Sequence, residues 1–522
     1  MYALPAFRAT RAVRCALRIM PDDPAAVGLA ERLCSAEPAA FRALRKETTE
    51  RWPGGAHMVS GAQQGRLLHS LVRLARATRV LEVGCFTGYA ALWMALALPP
   101  SGRLVSLERD ERAAEVARRH LAASGVSDHA EVRLGDALAS LAALPPDEPP
   151  FDIIFLDADK KRCGQYVELL LERELLAPHS LLLVDNVLWK GEVLRLLDPS
   201  ALTSLSPEAV ALDARDRRSM GLRDALHAFS LELAAESRVQ QLMLPLRDGL
   251  TWAQPLTPAA AADGAGDARR AATLQAVAAS APEIDHVPTT ATAEPLPDYL
   301  RLVSSAEPAA FRALRKETTE RWPGGAHMVS GAQQGRLLHS LVRLARATRV
   351  LEVGCFTGYA ALWMALALPP SGRLVSLERD ERAAEVARRH LAASGVSDHA
   401  EVRLGDALAS LAALPPDEPP FDMIVWHCAT PSEAVDDTEY PARGLPLQAL
   451  PLTQLLAAVA PHGAVVLIQP DPDHADNTLA MLCADHSLSV VSVPSPDGDG
   501  TLLSFISSTG VGGERGLQLG EM

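Results

Sequence analysis

The chain reads as two open α/β domains in tandem, each a mostly parallel sheet with helices on both faces. Three observations carry this. Residues 35–152 recur without a single change as residues 305–422, so whatever fold the first segment adopts is available twice. Within each copy, short apolar runs alternate with stretches of helical periodicity, the pattern of a parallel sheet covered on both sides. A turn holding two glycines follows the first apolar run and opens a helix, and ligands of such folds sit beyond the strands' carboxyl ends.

In the first copy, residues 63–77 place Leu67, Leu68, Leu71, Val72 and Leu74 on one helical face. Residues 79–84 follow as a short buried strand, and residues 89–97 as the helix after it. A second strand spans 104–108. The helix over 111–123 has Asp110 as its N-cap and Gly125 as its stop. Third, fourth and fifth strands are expected at 132–134, 152–157 and 181–184. Residues 239–246 and 250–253 form a closing hairpin around Arg247, Asp248 and Gly249.

Composition bounds the function. Of 522 residues, 48% are hydrophobic and 22% charged, a globular balance too long for one core. A net charge of −14 argues against nucleic acid as partner, because phosphate binding needs a basic surface. Seven cysteines without metal-type spacing fit a reducing compartment, hence a cytoplasmic protein. No run reaches the roughly 18 apolar residues of a membrane span. Arg8, Arg11, Arg14 and Arg18, with no acid among the first twenty residues, leave open a transit peptide for mitochondrion or plastid, against an ordinary leading helix.

The repeat is domain-sized, unlike solenoid periods of ~20–50 residues. Identity even at surface positions leaves two origins, a very recent duplication or a gene sequence assembled with one copy read twice. The expected division is an N-terminal extension at 1–24, a first domain at 25–254, an Ala- and Pro-rich linker at 255–297, a second domain at 298–510 and a loose tail at 511–522. Part of the linker, 267–280, has the composition of a helix.

The cofactor turn is Glu82-Val83-Gly84-Cys85-Phe86-Thr87-Gly88. Gly84 and Gly88 let backbone approach a ligand closely. Glu108 ends the second strand, where a carboxylate can take both hydroxyls of a ribose. Glu82 would repel a dinucleotide's pyrophosphate but suits a cationic, phosphate-free nucleoside such as S-adenosylmethionine. At the neighbouring strand tips, Asp157 closes the fourth strand and Asp185-Asn186 the fifth. Two carboxylates and an amide oxygen suit Mg²⁺ or a similar hard ion (Ca²⁺, Mn²⁺), which would lower the pKa of a bound substrate hydroxyl. Lys160 is close enough to serve as general base or to stabilise the oxyanion.

On these motifs the first domain resembles the cation-dependent O-methyltransferases, the caffeoyl-CoA and catechol O-methyltransferase family. The likeness extends through Phe151-Asp152-Ile153-Ile154-Phe155-Leu156-Asp157-Ala158-Asp159-Lys160, Asp185-Asn186-Val187-Leu188-Trp189-Lys190-Gly191 and Leu244-Pro245-Leu246-Arg247-Asp248-Gly249-Leu250. The resemblance implies Rossmann-like class I methyltransferase domains, each with a seven-stranded sheet whose last strand is antiparallel, and commonly a homodimer, or here an intramolecular pseudo-dimer of the two copies. It implies catalysis by Lys160 and Asp157 and metal ligation by Asp157, Asp185 and Asn186. It further implies cofactor contacts at Ser60, Glu82, Gly84, Cys85, Ala90, Glu108, Ala137 and Asp159. Ala90 departs from the family's usual serine. Lys190 stands where plant caffeoyl-CoA enzymes have asparagine, which argues for another small hydroxylated aromatic substrate.

The second copy repeats the crevice as Ser330, Glu352, Gly354, Cys355, Ala360, Glu378 and Ala407, then diverges. His427-Cys428-Ala429-Thr430 replaces Asp157-Ala158-Asp159-Lys160, and the strand around 465–468 ends in Gln469-Pro470. The second domain is therefore expected to be an inactive partner. His427 with Cys428, and the loop of Asp471, Asp473, His474 and Asp476, are read as packing and solvated residues rather than metal sites. Two other classes stay open for the chain: a nucleotide-cofactor oxidoreductase on the same sheet, and a non-catalytic cofactor-binding scaffold.

Overall fold

The computed structural model describes residues 37–55, 58–197, 214–256, 295–323, 328–415, 417–427, 459–469, 488–494 and 502–508. The N-terminal extension, most of the linker with its expected helix, Cys428, the 471–476 loop and the tail lie outside the described residues.

The first copy runs α1 (Ala39–Arg51), α2 (Ala62–Leu74), β1 (Arg79–Val83), α3 (Tyr89–Ala97), β2 (Arg103–Glu108), α4 (Glu111–Ala123), β3 (Ala130–Leu134), α5 (Ala137–Ala142), β4 (Phe151–Leu156), α6 (Cys163–Glu172), β5 (Leu176–Asp185), α7 (Ala214–Ala235), β6 (Val239–Leu244) and β7 (Leu250–Pro255). Its sheet is ordered β3-β2-β1-β4-β5-β7-β6, seven-stranded as expected. β7 is antiparallel to both β5 and β6, and the remaining pairs among β1–β5 are parallel. Chain order reverses between β1 and β4, and the crevice at that switch point is where the glycine turn lies.

Local chemistry explains the elements. The Asp110 side chain accepts from the backbone of Arg112 and Ala113, capping α4 as read from sequence. Gly125 then takes φ +70°, a left-handed stop. β5 begins earlier than its apolar run, at Leu176, because Phe151 pairs with Leu176 before a register shift restores Ile153 opposite Leu181.

The two sheet faces bury separate cores. Ile153, Phe155, Leu181 and Leu183 face α2 and α3, whereas Ile154, Leu156, Leu182 and Val184 face Tyr166 and Val167 of α6 and Leu226 and Phe229 of α7. α8 (Pro295–Leu302) also covers this second face: Tyr299, Leu300 and Val303 join its core. Gln241 N–H donates to Ser305 Oγ at 3.0 Å, tying the start of the second repeat to β6.

The second copy follows with α9 (Ala309–Arg321), α10 (Ala332–Leu344), β8 (Arg349–Val353), α11 (Tyr359–Ala367), β9 (Arg373–Glu378), α12 (Glu381–Ala393), β10 (Ala400–Leu404), α13 (Ala407–Ala412), β11 (Phe421–His427), β12 (Val459–Gln469), β13 (Leu488–Pro494) and β14 (Leu502–Ser508). Its sheet, β10-β9-β8-β11-β12-β14-β13, repeats the first. α2 packs against β12 and β13, and reciprocally α10 packs against β5 and β6. One apolar core runs through both copies, joining Leu242 and Trp252 to Leu337, Leu338 and Leu341.

Candidate functional site

The site is built where β1, β2, β4 and β5 end. Gly84 has φ +96°, and a Cβ there would stand 2.5 Å from Asp157 carbonyl oxygen, so only glycine lets the turn cross the tip of β4. The backbone N–H of Asp157 donates to Val83 oxygen at 2.8 Å, which fixes the two tips together. Glu108 is held ready by three backbone amides. Phe86 N–H donates to one carboxylate oxygen at 2.6 Å; Arg109 and Asp110 N–H donate to the other at 2.9 and 2.8 Å.

Glu82 is 1% exposed, and its Oε2 has no hydrogen-bond partner among the described residues. Burial pushes its carboxyl up to about 8; Ser106 and Cys85 beside it pull the other way, and Asp157 and Glu108 add to the rise. A buried carboxylate oxygen without a donor is costly, and a cationic ligand is the natural relief. Ser60, Cys85 and Ala90 are buried near the turn; Ala137 opens α5, and Asp159 Oδ1 accepts from Lys161 N–H at 3.1 Å.

Beside this crevice lies an acidic cluster. Lys160 Nζ is 2.6 Å from Asp157 Oδ1 and donates to Asp185 carbonyl oxygen at 2.9 Å, so one ammonium bridges the tips of β4 and β5. Burial works to lower the Lys160 pKa, but Asp157 and Asp185 outweigh it and hold it above the usual lysine value. Burial pushes Asp157 up, against the opposing charge of Lys160. Asp185 is 3% exposed and accepts its neighbour Asn186 N–H at 2.9 Å; Asn186 itself sits at φ +59°. The structure thus brings Asp157, Lys160, Asp185 and Asn186 to one rim. Among the described residues no three His, Cys, Asp or Glu side chains gather as a metal cluster. The expected donor set, two carboxylates and an amide, has only two of those, and its hard oxygens suit a divalent cation.

Arg247 and Asp248, read in the sequence as part of the turn and of the 244–250 likeness but not as site residues, belong to this rim. Asp248 Oδ1 accepts from Lys190 N–H, and Asp248 carbonyl oxygen accepts from Leu188 N–H at 2.8 Å. The loop after Asn186, with Trp189 and Lys190 also at positive φ, is pinned to the β6–β7 turn. Arg247 donates to Gln64 Oε1 at 2.9 Å and lies close enough to lower the Asp157 pKa. The signals in sequence were the turn triplet and its place in the 244–250 likeness.

In the second copy, pairing with β11 sets Ile468 and Gln469 level with Asp185 and Asn186, one residue earlier than the expected Gln469-Pro470. His427 occupies the Asp157 position, so none of the three expected ligands is retained.

The family model described as O-methyltransferase matches residues 31–256 and again 301–435. Tricin synthase 1 of Oryza sativa subsp. japonica is 34% identical over 221 residues, 41% of this chain and 81% of that protein. Catechol O-methyltransferase domain-containing protein 1 of Mus musculus is 37% identical over 240 residues, 45% of this chain and 82% of that protein. Among solved structures, the O-methyltransferase TomG from Streptomyces achromogenes, in complex with SAM, is 32% identical with a TM-score of 0.35, covering 42% of this chain and 91% of that one.

Proposed function

This chain belongs to the O-methyltransferase family, and from that premise we propose that its first copy moves the methyl group of S-adenosylmethionine onto a hydroxyl of a small catechol-like or phenolic substrate, with a divalent cation. The observation that carries this reading is the juxtaposition of the buried Glu82 carboxyl, one oxygen of which has no donor among the described residues, with the Asp157–Lys160–Asp185 cluster.

Glu82 accepts from the cofactor's ammonium, Glu108 takes the ribose hydroxyls, and the Gly84 turn brings backbone against the nucleoside. Ser60, Cys85, Ala90, Ala137 and Asp159 complete that crevice. Asp157, Asp185 and Asn186 would hold the cation, which when bound lowers the pKa of a substrate hydroxyl. Lys160, held as the ammonium by Asp157 and Asp185, would steady the oxyanion, and the hydroxyl proton leaves to solvent. The substrate oxygen forms its bond to the methyl carbon as the carbon–sulfur bond breaks, and sulfur keeps that electron pair. The products are the methyl ether and S-adenosylhomocysteine.

A second reading applies to the second copy alone. With His427, Ile468 and Gln469 at the ligand positions, it serves as a non-catalytic partner packed as the other half of a pseudo-dimer. A dinucleotide oxidoreductase is disfavoured by the buried Glu82 at the turn. No helix among the described residues is long and apolar enough to cross a membrane.

The test is methyl transfer to a panel of catechols, with and without a chelator, by the full chain and by Asp157→Ala. Activity lost on chelation and in the variant is the expected result; unchanged rates in both would remove the cation from the reaction.

A further inference from the structure

The two crevices are an internal control, because the sequence that builds them is identical up to Asp422. Their frames agree in the glycine turn and in the acid that ends the second strand. Gly354 and Gly358 take φ +89° and +84°, against +96° and +88° for Gly84 and Gly88. Glu378 accepts from Phe356, Arg379 and Asp380 N–H as Glu108 does from Phe86, Arg109 and Asp110. The difference begins at the tip of the fourth strand. β4 ends at Leu156 and turns over Gly84, whereas β11 continues one residue further, with His427 paired to Ile468.

That extra strand residue changes what the crevice holds. His427 Nε2 lies 3.2 Å from Glu352 Oε1, and Ser376 Oγ donates to Glu352 Oε2 at 2.6 Å. His427 thus gives the buried Glu352 a partner for which the first copy, with Asp157 at the matching position, has no equivalent. His427 lines the second crevice together with Ser330, Gly354, Tyr359 and Ala360.

We propose that His427 is a built-in occupant of the second crevice, its imidazole taking the carboxylate that in the first copy receives the cationic end of the cofactor. The second copy is thereby closed to a nucleoside bearing an ammonium group by one side chain, while its binding frame stays intact. This rests on the reading of Glu82 as the cofactor's ammonium acceptor.

The experiment is isothermal titration of the full-length chain with S-adenosylhomocysteine. One site per chain is expected for the natural protein and two for His427→Ala, with His427→Asp, which restores the first copy's residue, as the second variant. Circular dichroism establishes that each variant is folded. Glu82→Gln should abolish the natural protein's site yet leave the second site of the His427→Ala chain. Two sites in the natural protein, or one in both folded His427 variants, overturns the proposal while leaving the cofactor reading standing. A natural site lost with Glu352→Gln rather than Glu82→Gln also overturns it. Absence of binding in every chain overturns both readings.

Discussion

Arg76 Nη2 lies 3.2 Å from Asp422 Oδ1, and the pair recurs with the copies exchanged, Arg346 Nη2 to Asp152 Oδ1 at 2.8 Å. The two pairs exchange the same residues between the copies, the reciprocity an isologous contact requires. Each aspartate also works locally. Asp152 Oδ2 accepts from Thr78 and Arg79 N–H at 2.8 and 3.0 Å, anchoring the start of β1.

These two duties separate by mutation. Arg346 is half exposed, so Arg346→Ala should cost at most about 1 kcal/mol, the ordinary worth of a surface ion pair. Asp152→Ala should cost more, ~1–3 kcal/mol, because it leaves two backbone donors without their acceptor. Equilibrium urea unfolding measures both; equal losses would show that the amide contacts contribute nothing.

Glu82 gives a pH signature. Its carboxyl, held at about 8 by burial, is largely protonated at pH 7 in the free protein. Pairing with a cofactor ammonium favours the ionised form, so binding should release close to one proton at pH 7. Affinity should then rise with pH until about 8 and level off. Titration calorimetry in buffers of different ionisation enthalpy reads the proton directly. No buffer dependence would mean that Glu82 does not meet the cation.

His69, in α2, is buried, and that burial lowers its pKa to about 3, with Arg73 adding to the effect. Its copy His339 is lowered in the same way. A base depressed below its unfolded value of 6.5 contributes stability that is full above pH 6.5 and lost as pH falls towards 3, because the unfolded chain takes up the proton first. Thermal midpoints should therefore decline across that window, less steeply in His69→Gln. A variant with an unchanged slope would place the acid sensitivity elsewhere.

Asp248 should act on the cation site without touching it. Removing the acceptor of Lys190 N–H frees a loop that carries Asn186, Trp189 and Lys190 at positive φ. Asp248→Ala should weaken divalent-cation binding ~10–100-fold, as loss of outer hydrogen-bonding partners does. Calorimetric titration with Mg²⁺ alone tests this without turnover, and an affinity equal to the natural protein's would confine Asp248 to the turn.

Much of the site was legible in sequence because its parts are local. Asp157, Asp185 and Glu108 stand at strand ends that apolar runs and caps locate, and parallel strands must bring such ends to one rim. Asp248 was not, since its link to Lys190 joins segments far apart in the chain.

By itself the sequence located the strands of the first copy, three of its helices, the glycine turn and the acids beside it, because periodicity, caps and turn residues act over a few neighbours. Only the tertiary structure decided what surrounds α2. Gln63, Gln64, Arg66, His69 and Ser70 are polar, yet all are buried: Gln64 accepts from Arg247, Arg66 and His69 lie against Trp93, and the helix packs on β12 and β13 of the second copy. It also decided that His427 meets Glu352. Burial by a surface hundreds of residues away leaves no trace in local periodicity; it follows from how two sheets dock.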